Sequence, residues 1–153
     1  MADINETDAR VFIESVTHYF EQITGHAAEI RTAYLASNKL PQFEYTGLID
    51  FSGQFRGSVY FSATSMMAAR MLLAMRESDT SNSNLLDIVG EVANTIAGNA
   101  RKHFGAGLEI STPTTSFGNR VALTSPTRAR PFAIELQWQQ SEAVVVVDLE
   151  NNI

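Results

Sequence analysis

The sequence contains no cysteine among its 153 residues. Disulfide bonds, thiolate nucleophiles and cysteine-ligated metal sites are therefore excluded. The sequence is also poor in positive charge, since 11 Lys and Arg residues stand against 17 Asp and Glu residues for a formal charge of −6. This balance argues against binding of nucleic acid through neutralisation of its phosphates.

Long hydrophobic runs are missing as well. No apolar stretch approaches the roughly 20 residues that span a bilayer, and the opening residues MADINETDAR lack the basic and apolar regions of a secretory signal. We therefore expect a cytoplasmic protein without a membrane segment. The length favours one domain over residues 1–153, and the three histidines are too far apart to predict a metal site.

The order of hydrophobic patterns predicts an α+β domain. Apolar residues at helical spacing predict helices over 6–25, 64–78 and 84–104, with Gly25 as the stop of the first. Strand patterns occupy 28–35, 43–63, 108–117, 132–138 and 143–149, with Pro113 interrupting one of them and a loop over 118–131. One helix, several strands, two helices and then more strands form an order that fits an antiparallel sheet with helices packed on one face.

The third predicted helix contains the stretch DIVGEVANTIAGNA, residues 87–100. At about 100° per residue its polar and small residues fall on one side and its large apolar residues on the other. The polar stripe consists of Asp87, Gly90, Glu91, Asn94, Gly98 and Arg101. The apolar stripe consists of Leu85, Val89, Val92, Ile96 and Ala100. The helix is thus amphipathic and shows its acids and amide to solvent.

The two glycines of this stripe are unexpected, because each costs about 1 kcal/mol relative to alanine in a helix interior. Core packing does not explain them if they lie on the polar side. Bare backbone at Gly90 and Gly98 would let another surface approach closely. The residues alone therefore indicate an interaction face, with an ordinary solvated helix face as the alternative.

The pattern D-x-x-x-E-x-x-N formed by Asp87, Glu91 and Asn94, followed by IAGNARKHFG, resembles the signature of the CheC/CheX/FliY phosphatases of bacterial chemotaxis. Chance would produce this triple only about 0.03 times in a chain of this composition. CheC-type chains usually carry two such motifs, whereas Glu14 and Glu21 are followed three positions later by threonine. A single motif favours the CheX branch, whose members form homodimers.

The resemblance implies hydrolysis of the aspartyl phosphate on a CheY-type response regulator. Asn94 would orient the attacking water and Glu91 would pair with the regulator's active-site lysine. Docking would be supported by the remaining residues of the stripe, Asp87, Gly90, Gly98 and Arg101. Mg²⁺ would be held by the regulator's own carboxylates, so no metal or cofactor is expected on this chain. The alternative is a non-catalytic module that binds a regulator or another partner without hydrolysis.

The strand AVVVVDL, residues 143–149, leaves two interpretations open. Its unbroken apolar run fits a central strand buried on both faces, and it also fits an edge strand that joins two subunits. The resemblance favours the edge, because CheX-type dimers pair through β-strands.

Overall fold

The computed structural model describes residues 3–37, 39–118, 123 and 127–152. Half of the predicted loop over 118–131 therefore lies outside the described residues. The helices and strands follow in chain order as α1 (Glu6–Thr24), β1 (Glu29–Leu35), β2 (Tyr45–Gly53), β3 (Phe55–Ala63), α2 (Ser65–Ala74), α3 (Asn82–Phe104), β4 (Leu108–Ile110), β5 (Thr114–Phe117), β6 (Phe132–Trp138) and β7 (Ser141–Asn151).

The strands of the described residues form one antiparallel sheet of seven strands, in the order β1-β6-β7-β3-β2-β4, with β5 also paired to β2. β4 pairs with Phe51–Gly53, and β5 pairs with Tyr45–Leu48 farther along the same side of β2. Pro113 lies between the two pairings. The predicted interruption of this strand by a proline is confirmed, because proline cannot donate a ladder hydrogen bond.

The valine-rich strand β7 lies in the middle of the sheet. It pairs with β6 on one side and with β3 on the other. All four valines from Val144 to Val147 are at most 2% exposed. The preference for a subunit-joining edge at this strand is therefore wrong, and the central interpretation is correct. An apolar run without alternation is what a strand covered on both faces requires.

The three helices of the described residues pack on one face of the sheet, as predicted. The core beneath them includes Phe12 and Phe20 of α1, Met67 and Met71 of α2, Val92 and Ile96 of α3, and Ile49 and Phe61 of the sheet. A smaller apolar cluster covers the opposite face and comprises Ala36, Leu48, Tyr60, Ala133, Val144 and Val146. In the parts of the chain that the structure describes, no helix is long and apolar enough to cross a bilayer.

The helix ends have local causes. The side chain of Asn5 accepts a hydrogen bond from the backbone nitrogen of Asp8 at 2.8 Å, which caps the start of α1. Gly25 ends this helix with a left-handed φ of 82°, as predicted. α2 ends at Ala74, short of the predicted residue 78, and Arg76 beyond it has a positive φ of 65° that a right-handed helix does not allow.

Candidate active site

The polar ridge of α3, defined as Asp87, Glu91, Asn94, Gly98 and Arg101, is open to solvent. Its four side chains are exposed and Gly98 is partly exposed. Residues three or four positions apart on a helix are neighbours, with about 5–6 Å between their Cβ atoms. Glu91 and Asn94 therefore project from one side of the helix and are available to the same partner.

The opposite face of α3 is buried. The fully buried residues on it are Val89, Val92, Ala93, Ile96, Ala97 and Ala100. Complete burial of a Val or Ile side chain contributes about 1.5–3 kcal/mol. The helix is thus anchored on the sheet by several such side chains, and the ridge is presented on a rigid support.

α1 covers one flank of α3. The Asn99 side chain donates a hydrogen bond to Oγ of Ser15 at 2.8 Å, and Nε2 of His103 lies 3.0 Å from Oδ1 of Asp8. Residue numbers rise along α3 as they fall along α1, so the two helices run antiparallel. The groove between them has a volume of about 510 Å³ and is lined by Val11, Glu14, Ser15, Thr17, His18, Glu21 and Asn99.

The segment from Pro113 to β5 covers the other flank. Gly90 is buried there, and a Cβ atom at this glycine would lie 2.9 Å from Cγ2 of Thr115 and 3.6 Å from Cβ of Pro113. The expectation that Gly90 leaves an open gap for a partner is wrong, because this glycine lets the β5 segment pack against α3. Gly98 differs, since nothing lies within 4 Å of a Cβ atom built on it.

The charge of Glu91 acts on the buried hydroxyl of Tyr19 in α1, a relationship that the sequence pattern does not reveal. Tyr19 is 5% exposed, and its buried hydroxyl forms no hydrogen bond of normal geometry. Burial raises the pKa of Tyr19, and the charge and nearby acceptor oxygens of Glu91 raise it further.

The chemistry that Glu91 and Asn94 offer is one carboxylate and one amide, side by side. A carboxylate accepts hydrogen bonds from a cation such as lysine, and an amide can both donate to a water and accept from it. Within the described residues, no group of three or more Asp, Glu or His side chains is arranged to hold a metal ion. The ridge is thus suited to docking and to orienting a small molecule.

Solved structures share this fold over nearly the whole chain. A CheC-like superfamily protein from Shewanella sp. PV-4 matches with a TM-score of 0.84 and 18% identity, covering 96% of this chain and 99% of its own. The chemotaxis protein CheX from Desulfovibrio desulfuricans matches with a TM-score of 0.79 and 23% identity, covering 94% and 99%. A CheX–CheY–BeF3–Mg²⁺ complex from Borrelia burgdorferi matches with a TM-score of 0.73 and 16% identity, covering 93% and 97%.

These identities establish the fold, and the family follows from the sequence. No curated protein matches the chain significantly. The family model for the chemotaxis phosphatase CheX matches residues 45–137, which is more than half of the chain. The match runs from β2 into β6 and contains Asp87, Glu91 and Asn94. The chain therefore belongs to the CheX family of chemotaxis phosphatases.

Proposed function

We propose that this chain binds a phosphorylated CheY-type response regulator and hydrolyses its aspartyl phosphate. The observation that carries the proposal is the exposed pair Glu91 and Asn94 on a helix whose other face is fixed in the core. Membership of the CheX family supports the activity. The CheX–CheY complex from Borrelia burgdorferi supports the class of partner.

Asn94 is the residue that orients the water. Its amide nitrogen donates to the water oxygen while its carbonyl oxygen accepts a water hydrogen. The water oxygen adds to phosphorus in line with the bond to the aspartyl oxygen, and that bond breaks to give inorganic phosphate and a free aspartate carboxylate. Holding the water in this direction removes orientational entropy from the barrier.

Glu91 is the residue that docks the regulator, through its active-site lysine. A hydrogen bond to a charged group contributes about 1.5–3 kcal/mol, and Glu91 lies one helical turn before Asn94. The ion pair therefore places the amide beside the phosphoryl group. Asp87, Gly98 and Arg101 extend the contact along the ridge, whereas Gly90 contributes only through the packing of the β5 segment.

Mg²⁺ belongs to the regulator in this proposal. The related complex from Borrelia burgdorferi contains CheY, BeF3 and Mg²⁺. The regulator's carboxylates hold the cation, and this chain supplies the positioned amide. The chain acts as a homodimer in the proposal, with one ridge in each subunit.

The test is phosphate release from regulators phosphorylated by a small phosphodonor. Wild type is expected to accelerate release. Asn94→Ala should lower the rate constant on the order of 100-fold, because the water is no longer oriented. Glu91→Ala should raise the half-saturating regulator concentration about 10-fold through loss of its ion pair. Asn152→Ala is the matched control, since this asparagine donates to Gly53 at the β2–β3 turn and should leave both quantities unchanged.

Binding to a regulator loaded with beryllofluoride separates docking from hydrolysis. Asn94→Ala should bind such a regulator about as tightly as wild type does. If wild type and Asn94→Ala bind a regulator and release phosphate from it at equal rates, the hydrolysis proposal fails. The chain would then be a non-catalytic module that sequesters its partner.

A further inference from the structure

We infer that Phe117 of β5 is an apolar docking residue for the response regulator, and that its exposed ring contacts an apolar patch of the regulator while Glu91 pairs with the lysine. The inference rests on the proposed function and adds a second point of contact to it. It concerns a residue that lies outside the D-x-x-x-E-x-x-N pattern of α3.

The ring of Phe117 is half in solvent. Phe117 is 51% exposed, and removal of such a ring from water is favourable when a partner covers it. Aromatic residues are also enriched among the few side chains that carry most of the binding energy of an interface. Single exposed apolar residues are common, so the support and the position of this ring decide its role.

The ring is supported by a buried neighbour. Its centroid lies 4.7 Å from that of the Tyr45 ring. Tyr45 is 4% exposed, and its hydroxyl donates a hydrogen bond to Oδ1 of Asn82 at 2.7 Å. Directly after Phe117, the backbone nitrogen of Gly118 donates to the carbonyl oxygen of Glu44 at 2.8 Å. A side chain that is ordered in this way loses little conformational entropy when it binds.

Strand geometry places the ring beside the polar ridge of α3. Phe117 and Thr115 are two residues apart on β5, so their side chains lie on the same face of the sheet. This face is the one that the helices cover, because a Cβ atom at Gly90 would lie 2.9 Å from Cγ2 of Thr115. Phe117 stands about 7 Å farther along the strand, paired with Tyr45, whose hydroxyl bonds Asn82 at the start of α3. The ring therefore flanks the first turns of α3, where the polar ridge begins.

The response regulator is the partner that fits this position. A standard interface covers about 800 Å² on each protein, which is a disc with a radius of about 16 Å. The flank of a helix is only about 5–6 Å from its axis, so an interface centred on Glu91 extends past this flank and includes Phe117. Specific interfaces combine an apolar centre with polar groups. The regulator should therefore present an apolar side chain near its active-site lysine.

Phe117→Ala is the direct test, because it removes the ring and keeps Glu91 and Asn94. The half-saturating concentration of the phosphorylated regulator should rise about 10-fold, as expected for an aromatic anchor, while kcat stays unchanged. Leu73→Ala is the matched control. Leu73 is 58% exposed on α2, which packs over β7 and β3, and its loss should change neither constant. An equal rise in Leu73→Ala, or a fall in kcat in Phe117→Ala, would overturn the inference.

A double variant separates direct contact from an effect on the helix. Phe117 lies on the strand that packs against Gly90, so loss of the ring could act by moving Glu91. If Phe117 and Glu91 contact the regulator independently, their effects multiply, and Phe117→Ala combined with Glu91→Ala should raise half-saturation about 100-fold. A double variant no weaker than Glu91→Ala alone would show that the ring acts only through the ridge, and the inference would fail.

A second copy of this chain is the other partner that could cover the ring. Sedimentation equilibrium should give the same association of subunits for wild type and for Phe117→Ala. A variant that loses self-association and keeps the half-saturation of wild type would assign the ring to a contact between copies, contrary to the inference.

Binding of a regulator loaded with beryllofluoride tests the contact whether or not the chain is a phosphatase. With ring-¹³C-labelled phenylalanine, the Phe117 resonance is assigned by its loss in Phe117→Leu and should move when the loaded regulator and Mg²⁺ are added. If it moves while wild type releases no phosphate, the docking inference stands and the hydrolysis proposal fails. If wild type releases phosphate and the resonance stays in place, the inference fails and the proposed function stands.

Discussion

Gly47 of β2 lies directly against the backbone of α3, and a Cβ atom at Gly47 would stand 2.4 Å from the carbonyl oxygen of Val89. The same atom would lie 2.8 Å from the backbone nitrogen of Gly90. Backbone atoms cannot rotate away as a side chain can, so the helix approaches the sheet this closely only because residue 47 has no side chain. A glycine outside the motif thus sets the height of the polar ridge above the sheet.

Gly47→Ala should force α3 away from β2 and lower the free energy of unfolding by about 1–3 kcal/mol, as overpacking of a core does. The displaced helix should also lose phosphatase activity, because Glu91 and Asn94 move with it. Urea unfolding and phosphate release measure the two effects. A variant with wild-type stability would show that the contact between helix and sheet is less tight than the structure indicates.

Gly98→Ala should raise the stability of the protein, whereas Gly47→Ala should lower it. Nothing lies within 4 Å of a Cβ atom at this helix position, and alanine gains about 1 kcal/mol over glycine in a helix interior. The added methyl group lies on the polar ridge, however, and should raise the half-saturating concentration of the regulator. Unfolding by urea and the dependence of the rate on regulator concentration test both parts. Unchanged half-saturation would contradict a role of Gly98 in clearance.

Asn94→Ala should separate activity from stability. Asn94 is exposed on the ridge, and asparagine is less favourable in a helix than alanine by up to about 0.7 kcal/mol. The variant should therefore unfold at the same or a higher temperature while it loses hydrolysis. Thermal unfolding of the variant used in the activity assay provides the measurement. A clear loss of stability would mean that the fall in rate does not report on the water alone.

The buried carboxyl of Asp148 should make stability depend on pH. Burial raises its pKa above the ordinary value of 3.8, and Glu150 adds to the rise. Hydrogen bonds from Thr127, one of them from its backbone nitrogen at 3.1 Å, and the charge of Arg56 oppose the shift. Between 3.8 and the raised pKa, the folded chain holds a proton that the unfolded chain has released. The free energy of unfolding therefore falls as pH rises through this interval.

Asp148→Asn removes that dependence. The variant should gain stability relative to wild type as pH rises above 3.8. This difference in the free energy of unfolding should level off above the raised pKa of Asp148. Asp3→Asn is a control in which the pH dependence of stability has the opposite sign. Hydrogen bonds from Arg130 lower the pKa of Asp3. The stabilisation that they give to the folded chain is therefore lost as pH falls through that lowered pKa. Urea unfolding at a series of pH values measures both differences. A difference for Asp148→Asn that does not change with pH would contradict this account.

The buried and exposed faces of α3 could be predicted because their evidence is local. The apolar stripe through Val89, Val92 and Ile96 is fully buried, and Glu91 and Asn94 are exposed. A period of 3.6 residues assigns each side chain of a helix to a face without knowledge of the neighbours. The position of Pro113 predicted the break between β4 and β5 for a similarly local reason.

Three features could not be predicted, because each depends on elements that are distant in the sequence. Gly90 lies on the polar side of α3 by angle, yet Thr115 of β5 covers it. The charge of Glu91 acts on the hydroxyl of Tyr19 only because α1 packs against α3. Gly47 reads as an ordinary strand glycine until α3 lies on it. No periodicity within one segment contains this information.

The sequence by itself determined the elements, the amphipathic face of α3 and the motif Asp87, Glu91 and Asn94, since backbone period and residue type are local properties. The tertiary structure decided which strands are central, which flank of α3 is covered by another segment and which glycine of its polar stripe is buried. An apolar run such as Val144–Val147 satisfies either an edge or a central position equally well in isolation. Only the pairing of β7 with both β3 and β6 distinguishes them, because strand neighbours are chosen by long-range hydrogen bonds and packing.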